Sequence, residues 1–174
     1  MEQIFHARSD VVEQKMREVW RKSLEIAGVS YALCRSYTRL KPDQAALGGL
    51  VHQIGVLPIL TYAEDHYELL SDPVSLNHVI DRIHPVIGEK LLKVWDFPDM
   101  LVQVPQLYLN FKRQSAQVDY VDLVQVASLY CHKDTDHPFA RIDPLSVPAF
   151  HAIGIDIDDE AMCADLEETR TMFY

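Results

Sequence analysis

The chain has 174 residues, 48% apolar and 24% charged, and its 16 Lys and Arg against 26 Asp and Glu give a formal charge of -10. A chain of this length buries about 70% of its unfolded surface, so its core needs no metal or disulfide staple. Seven of the acids (Asp156, Asp158, Asp159, Glu160, Asp165, Glu167 and Glu168) fall within thirteen residues that hold no Lys or Arg, leaving the rest near -3. With no clustered cationic footprint and an acidic end that repels phosphate, binding to nucleic acid or to an anionic membrane surface is excluded.

Cys34, Cys131 and Cys163 are odd in number, far apart and without a CxxC pair. That is the pattern of reduced thiols in a cytosolic compartment, each read as a small apolar residue in or near the core. No apolar run approaches eighteen residues, and the start, Met1-Glu2-Gln3-Ile4-Phe5-His6, lacks the basic and apolar regions of a signal peptide. Neither a membrane span nor a leader is expected, and the location is read as cytoplasmic.

Apolar residues recur at three- and four-residue spacing almost throughout, which predicts an all-α fold. Residues 1–10 form a lead-in, and 11–174 one compact multi-helix domain. The first helix opens at Ser9 or Asp10, with a core stripe of Val12, Met16, Val19, Trp20, Ser23, Leu24 and Ala27. A second helical stretch covers Val29 to Leu40 and stops before Pro42. Gln44 to Gln53, rich in small and apolar residues, is expected to be the most buried segment. Gly55 interrupts the pattern and Leu57 to Leu70 resumes it, with Pro58 tolerated in the first turn. Ser71-Asp72-Pro73 makes a turn. Ser75 to Ile83 follows, then a break at His84-Pro85 and a helix from Val86 to Trp95 with Ile87, Leu91, Leu92 and Trp95 inward. Pro98-Asp99 starts a helix that ends or bends near Pro105. Asp119 to Cys131 is an amphipathic helix with Leu123, Val124, Ala127 and Tyr130 inward. His132 to Pro148 is the longest loop, a turn of helix spans Pro148 to Ile153, and Asp158 to Met172 is an acidic last helix.

Gly48-Gly49-Leu50-Val51-His52-Gln53-Ile54-Gly55 puts two polar side chains at the end of a buried apolar helix, just before a glycine that allows a sharp turn. His52, and His84 before Pro85, read either as hydrogen-bonded core histidines or as ligands. Two imidazoles and an amide make a poor cation site, because neutral donors lack the charge that offsets desolvation. His132, Asp134, Asp136 and His137 have ligand-type side chains but sit in a polar loop where solvated Asp and His are expected. No Gly-x-Ser-x-Gly and no glycine-rich phosphate loop occurs.

Glu18 to Ala27, Ala46 to Gly55 and His84 to Leu92 together resemble the HD superfamily of metal-dependent phosphohydrolases, and within it the HDOD subgroup, the HD-related output domain of bacterial signalling proteins. Trp95-Asp96-Phe97-Pro98 is similar to that subgroup's Trp-Gly-Leu-Pro step, and Val147-Pro148-Ala149-Phe150 to its approach to the last helix. The likeness spans Val11 to Glu168. It implies that hydrolytic relatives carry a histidine ligand where this chain has Lys22 and a His-Asp pair where it has His52-Gln53. It further implies a distal aspartate where this chain has Ser128, and a His-His pair where it has Tyr108-Leu109.

Lys22, His52, Gln53, His84 and Ser128 are therefore expected to line a remnant pocket, with no catalytic residue and no metal; any metal left would fall to His52 and His84. An ammonium at a ligand position repels a dication and donates where acceptors are required. Lys22 is expected either with its head in water or binding an anion or Gln53. The resemblance implies a non-catalytic signalling module that acts through protein contacts or a small anionic ligand. The alternative is a divergent phosphohydrolase of nucleotides or phosphodiesters using Mn, Fe or Mg. HDOD domains typically carry a further N-terminal helical subdomain, whereas only Met1 to Ser9 precede the first matched helix here. The sequence is expected to be either a fragment or a shortened variant, and a second subunit or protein partner is expected to cover the apolar surface.

Overall fold

The fold, given by a computed structural model, is described for residues 9–156 and 158–172. It is all-α, and among the described residues no strand occurs.

Helix α1 (Asp10–Tyr37) runs unbroken for 28 residues, where two helices meeting near Gly28 were expected. A mid-helix glycine costs only about 1 kcal/mol. The run from Glu25 to Ser30 is buried throughout, so packing outweighs that cost. Asp10 and Glu13 in the first turn complement the positive end of the helix dipole. Against this spine lie α2 (Pro42–Val51), α3 (Val56–Glu64), α8 (Tyr120–His132) and α10 (Glu160–Thr171).

The α1–α2 crossing rests on Gly49. A Cβ there would lie 2.7 Å from the Ala27 Cα and 2.9 Å from the Ile26 carbonyl carbon, so any side chain would push the two helices apart. The apolar stretch Pro42–Glu64 is long enough by composition to cross a membrane. It is folded instead as two short helices separated by the turn at 52–55, and half of its apolar window is buried in the protein. A ten-residue helix reaches about 15 Å, half of a bilayer core.

After a single turn, α4 (Tyr67–Leu70), comes α5 (Pro73–Val94), one helix of 22 residues through Pro85 where a break was expected. Pro85 removes the amide that would bond the Asp81 carbonyl. Asp81 is exposed, so water can take its place. Asp72 caps the start by accepting from the Ser75 amide at 3.2 Å. Trp95, expected inward, is 51% exposed because the helix ends at Val94 and the chain turns at Asp96 with φ 55°.

The expected helix after Pro98 is two single turns, α6 (Asp99–Val102) and α7 (Val104–Leu107), with Pro105 opening the second rather than ending the first. Helix α8 is capped reciprocally by Asp119 and Asp122. Every residue in it except Tyr130 is buried, so α8, and not the Gln44 to Gln53 stretch, is the central helix. The segment after it contains two 3₁₀ turns, Pro138–Arg141 and Pro144–Ser146, before α9 (Pro148–Ile153) and α10.

The main core gathers Ile26, Leu33, Leu101, Val104, Leu123 and Val124 from α1, α6, α7 and α8. A smaller cluster of Val12, Met16, Val56, Leu60 and Leu76 joins the start of α1 to α3 and α5. The turn carrying His52 lies at the end of α2, where the chain passes from the first cluster to the second.

Candidate functional site

His52 is placed by two close approaches. Gly49 brings the last turn of α2 onto α1, and the Gly49 carbonyl accepts a hydrogen bond from His52 Nδ1 at 2.5 Å. Three residues on, Gly55 sits so close to α5 that a Cβ would overlap the His84 carbonyl oxygen and approach the Gly88 amide to 2.7 Å. The turn is thereby pinned between α1 and α5, and both imidazoles are buried, His52 at 1% and His84 at 4% exposed.

Tyr108, at the end of α7, completes the cluster. Its ring stands edge-on to His52 with centroids 5.0 Å apart, and is tilted 49° to His84 at 6.3 Å. The Tyr108 hydroxyl faces the Gln53 carboxamide. Burial pushes the Tyr108 phenol well above its ordinary range. Burial also lowers His52 to about 4, against the opposing pull of its bond to Gly49 and with a further push from His84. His84 is lowered by burial, likewise to about 4. Both rings are therefore neutral near pH 7. In His52 the proton sits on Nδ1, which donates to a carbonyl, so Nε2 keeps its lone pair. His84 Nδ1 is buried with no hydrogen-bond partner.

Helix α8 brings a second set of polar groups. Gln125, Ser128 and His132 recur at i, i+3 and i+7 on one face and are 0%, 0% and 8% exposed. Gln125 Nε2 donates to the carbonyls of Tyr108 (3.1 Å) and Asn110 (2.8 Å), fixing the chain that carries Tyr108. Ser128 Oγ and Gln125 Oε1 are buried without partners. His132 stacks on His137 at 3.8 Å and is lowered to about 3 by burial, then by the charges of His137, Lys22 and His52. The reading of His132 and His137 as solvated loop residues is therefore corrected. His132 is the last residue of α8, turned inward, and it holds His137 half-buried against it, while Asp134 and Asp136 are exposed as expected.

Lys22 neither extends into water nor reaches Gln53. Its Nζ donates to Glu25 Oε2 at 3.0 Å and to the Cys131 carbonyl at 3.3 Å, tying α1 to the end of α8. Glu25, 3% exposed, also accepts from Arg170 of α10 at 3.0 Å and lies 3.8 Å from Arg21. Sequence reasoning missed Glu25, Gln125 and His132 as members of this region. The available signal was a set of polar residues at helical spacing inside an otherwise apolar helix.

Of the expected pocket residues, His52, Gln53 and His84 meet around Tyr108, and Ser128 lies on the α8 face beside Gln125 and His132. Lys22 stands at the edge, held by Glu25. Among the described residues no group of three or more His, Cys, Asp or Glu side chains is placed to hold a metal ion.

Comparison with known proteins agrees with the all-α fold. The chain is similar over 99% of its length to a candidate metal-dependent phosphohydrolase from Shewanella amazonensis SB2B, with 25% identity and a TM-score of 0.82. It is also similar over 87% of its length to the MmoQ response regulator from Methylococcus capsulatus str. Bath, with 23% identity and a TM-score of 0.59. It spans 65% and 61% of those two chains. A search of curated proteins finds no match. The HDOD domain model matches residues 1–108, which contain His52, Gln53, His84 and Tyr108, and the chain belongs to the HDOD domain family.

Proposed function

We propose that this chain is a non-catalytic signal-transduction module of a bacterial cytoplasm, working through protein contacts or a bound ligand, and that its phosphohydrolase metal site has been lost. The observation that carries this reading is the donor set. Metal-assisted hydrolysis needs cations that acidify a water and neutralise charge on phosphate oxygens, and such cations need anionic or imidazole donors converging on one point. Here the candidate ligand positions offer an ammonium (Lys22), a carboxamide (Gln53), a hydroxyl (Ser128) and a phenol (Tyr108). The buried carboxylate beside Lys22, Glu25, is engaged by Lys22 and Arg170. These residues do not fit a catalytic metal.

A small ligand that accepts hydrogen bonds, such as an anion, suits the same residues better: Ser128 Oγ is a buried hydroxyl with no other partner, whereas the Lys22 ammonium is already paired with Glu25. The exposed side of α5 suits a protein: Ile83 (42%), Val86 (43%) and Val94 (80%) share one face of that helix. A second subunit or protein partner covering that face is part of the proposal.

The second reading, a divergent metal-dependent phosphohydrolase of nucleotides or phosphodiesters, is favoured by the likeness to the Shewanella protein and by the survival of His52 and His84. Elemental analysis for Mn, Fe, Mg and Zn after purification without chelator separates the two. The proposal expects substoichiometric metal and no turnover of phosphomono- or diesters with Mn or Mg added. Stoichiometric metal, or turnover abolished in His52→Ala, overturns it.

A further inference from the structure

A cleft of about 630 Å³ opens beside the C-terminal end of α8, in the part of the chain beyond the residues matched by the family model. It shares no lining residue with the His52 cluster. Its walls are Leu129 of α8, Phe139 and Ile142 around the first 3₁₀ turn, Phe150 of α9, and Ile155. Leu129 and Phe150 are buried core residues, so the cleft is an opening onto the main core. Leu145, 77% exposed, carries the apolar surface outward past the rim.

The rim has the opposite character. Asp134, Asp143, Asp156 and Asp158 surround the opening, and Lys133, 3.6 Å from Asp158, is the one lysine or arginine lining it. Local backbone positions these acids: Asp143 accepts from the Leu145 amide at 3.0 Å, Asp156 from the Asp158 amide at 3.0 Å, and Asp134 adopts φ 61° where the chain leaves α8. His151 at the rim has its Nε2 bonded to the Leu145 carbonyl at 3.0 Å, which holds the Leu145 turn against α9. A volume of this size is typical of ligand sites, in which an apolar interior supplies affinity and a few polar groups set orientation.

We infer that this cleft binds a basic linear peptide segment, one that places a bulky apolar side chain in the interior and flanks it with Arg or Lys at the carboxylate rim. An anionic ligand would meet four carboxylates against one ammonium. A fully apolar ligand would leave those charges facing it without compensation. The apolar lip at Leu145 favours a chain that continues beyond the cleft over a compact organic cation, which would end at the rim.

The test uses the full chain and three capped tetrapeptides, Arg-Phe-Leu-Arg, Glu-Phe-Leu-Glu and Arg-Gly-Ser-Arg, titrated by calorimetry and by amide NMR shifts. Arg-Phe-Leu-Arg is expected to bind saturably, more tightly at low salt, and to shift the amides of Ala140, Ile142 and Leu145. The other two peptides should bind at least about tenfold more weakly. Ala140→Trp, at an exposed lining position, should block the cleft and weaken binding by about tenfold or more with an unchanged circular dichroism spectrum. Asp134→Asn with Asp156→Asn should cost about fivefold. Absence of saturable binding of the basic apolar peptide overturns the inference. So does equal binding of the acidic peptide, or binding that survives Ala140→Trp unchanged. Tetramethylammonium binding as tightly as the peptide would overturn the assignment of a chain-like occupant.

Discussion

The ring of Tyr108 stands at 89° to that of His52, centroids 5.0 Å apart, while its hydroxyl faces the Gln53 carboxamide. One aromatic residue thus packs on one member of the His52-Gln53 pair and presents its polar end to the other. Tyr108→Phe keeps the edge-on packing and removes only the hydroxyl, so it should cost about 1 kcal/mol in chemical denaturation. Tyr108→Ala also opens a cavity beside two buried imidazoles and should cost about 3 kcal/mol or more. Equal losses for the two variants would show that the hydroxyl, and not the ring, organises the cluster.

Neighbouring glycines should respond to the same substitution with opposite signs. A Cβ on Gly48 would meet Leu101 Cδ2 at 3.4 Å, an ordinary contact, and alanine is the better helix former, so Gly48→Ala should leave thermal stability unchanged or raised by up to about 1 kcal/mol. A Cβ on Gly49 would run into the backbone of α1, which cannot swing aside, and Gly49→Ala should cost about 3 kcal/mol. Matching melting temperatures for the two variants would contradict the α1–α2 crossing described above.

Acid should destabilise the fold through its buried histidines. His52 and His84 are lowered from 6.5 to about 4, and His132 to about 3. Between pH 6.5 and about 4 the unfolded chain therefore binds protons that the folded chain refuses, and unfolding becomes easier as pH falls through that window. Urea midpoints at pH 7.0, 5.5 and 4.5 should decline by an amount equivalent to a few kcal/mol. His132→Gln, which removes one of the three, should flatten the slope; an unchanged slope in that variant would place its proton elsewhere.

Glu25 joins α1 to α10 through Arg170 and to α8 through Lys22, whose ammonium also reaches the Cys131 carbonyl. Glu25→Gln leaves Lys22 partly buried without a counter-charge and Arg170 with Glu167 alone, and should cost roughly 2 kcal/mol, below the figure for a fully buried pair because Lys22 and Arg170 are about a quarter exposed. Amide exchange should quicken most along 160–171. Uniform quickening across α1 and α2 instead would show that the carboxylate supports the whole spine and not the last helix.

Period and composition determined a great deal by themselves: the all-helical class, the family, and the residue types at the candidate ligand positions, because each is a property of residues read in order. The polarity of Lys22, Gln53 and Ser128 needs no coordinates. Which side chains meet does need them. Gly28 and Pro85 read as punctuation, yet both lie inside long helices, since burial of Glu25 to Ser30 in one and solvent at Asp81 in the other outweigh local preference. His132 is one residue from a polar loop by sequence and on the buried face of α8 in space. Glu25, 145 residues from Arg170, accepts its hydrogen bond only because α10 folds back onto α1. Local pattern specifies elements, whereas contacts between distant residues depend on how those elements pack, and the electrostatics of this site belong to the packing.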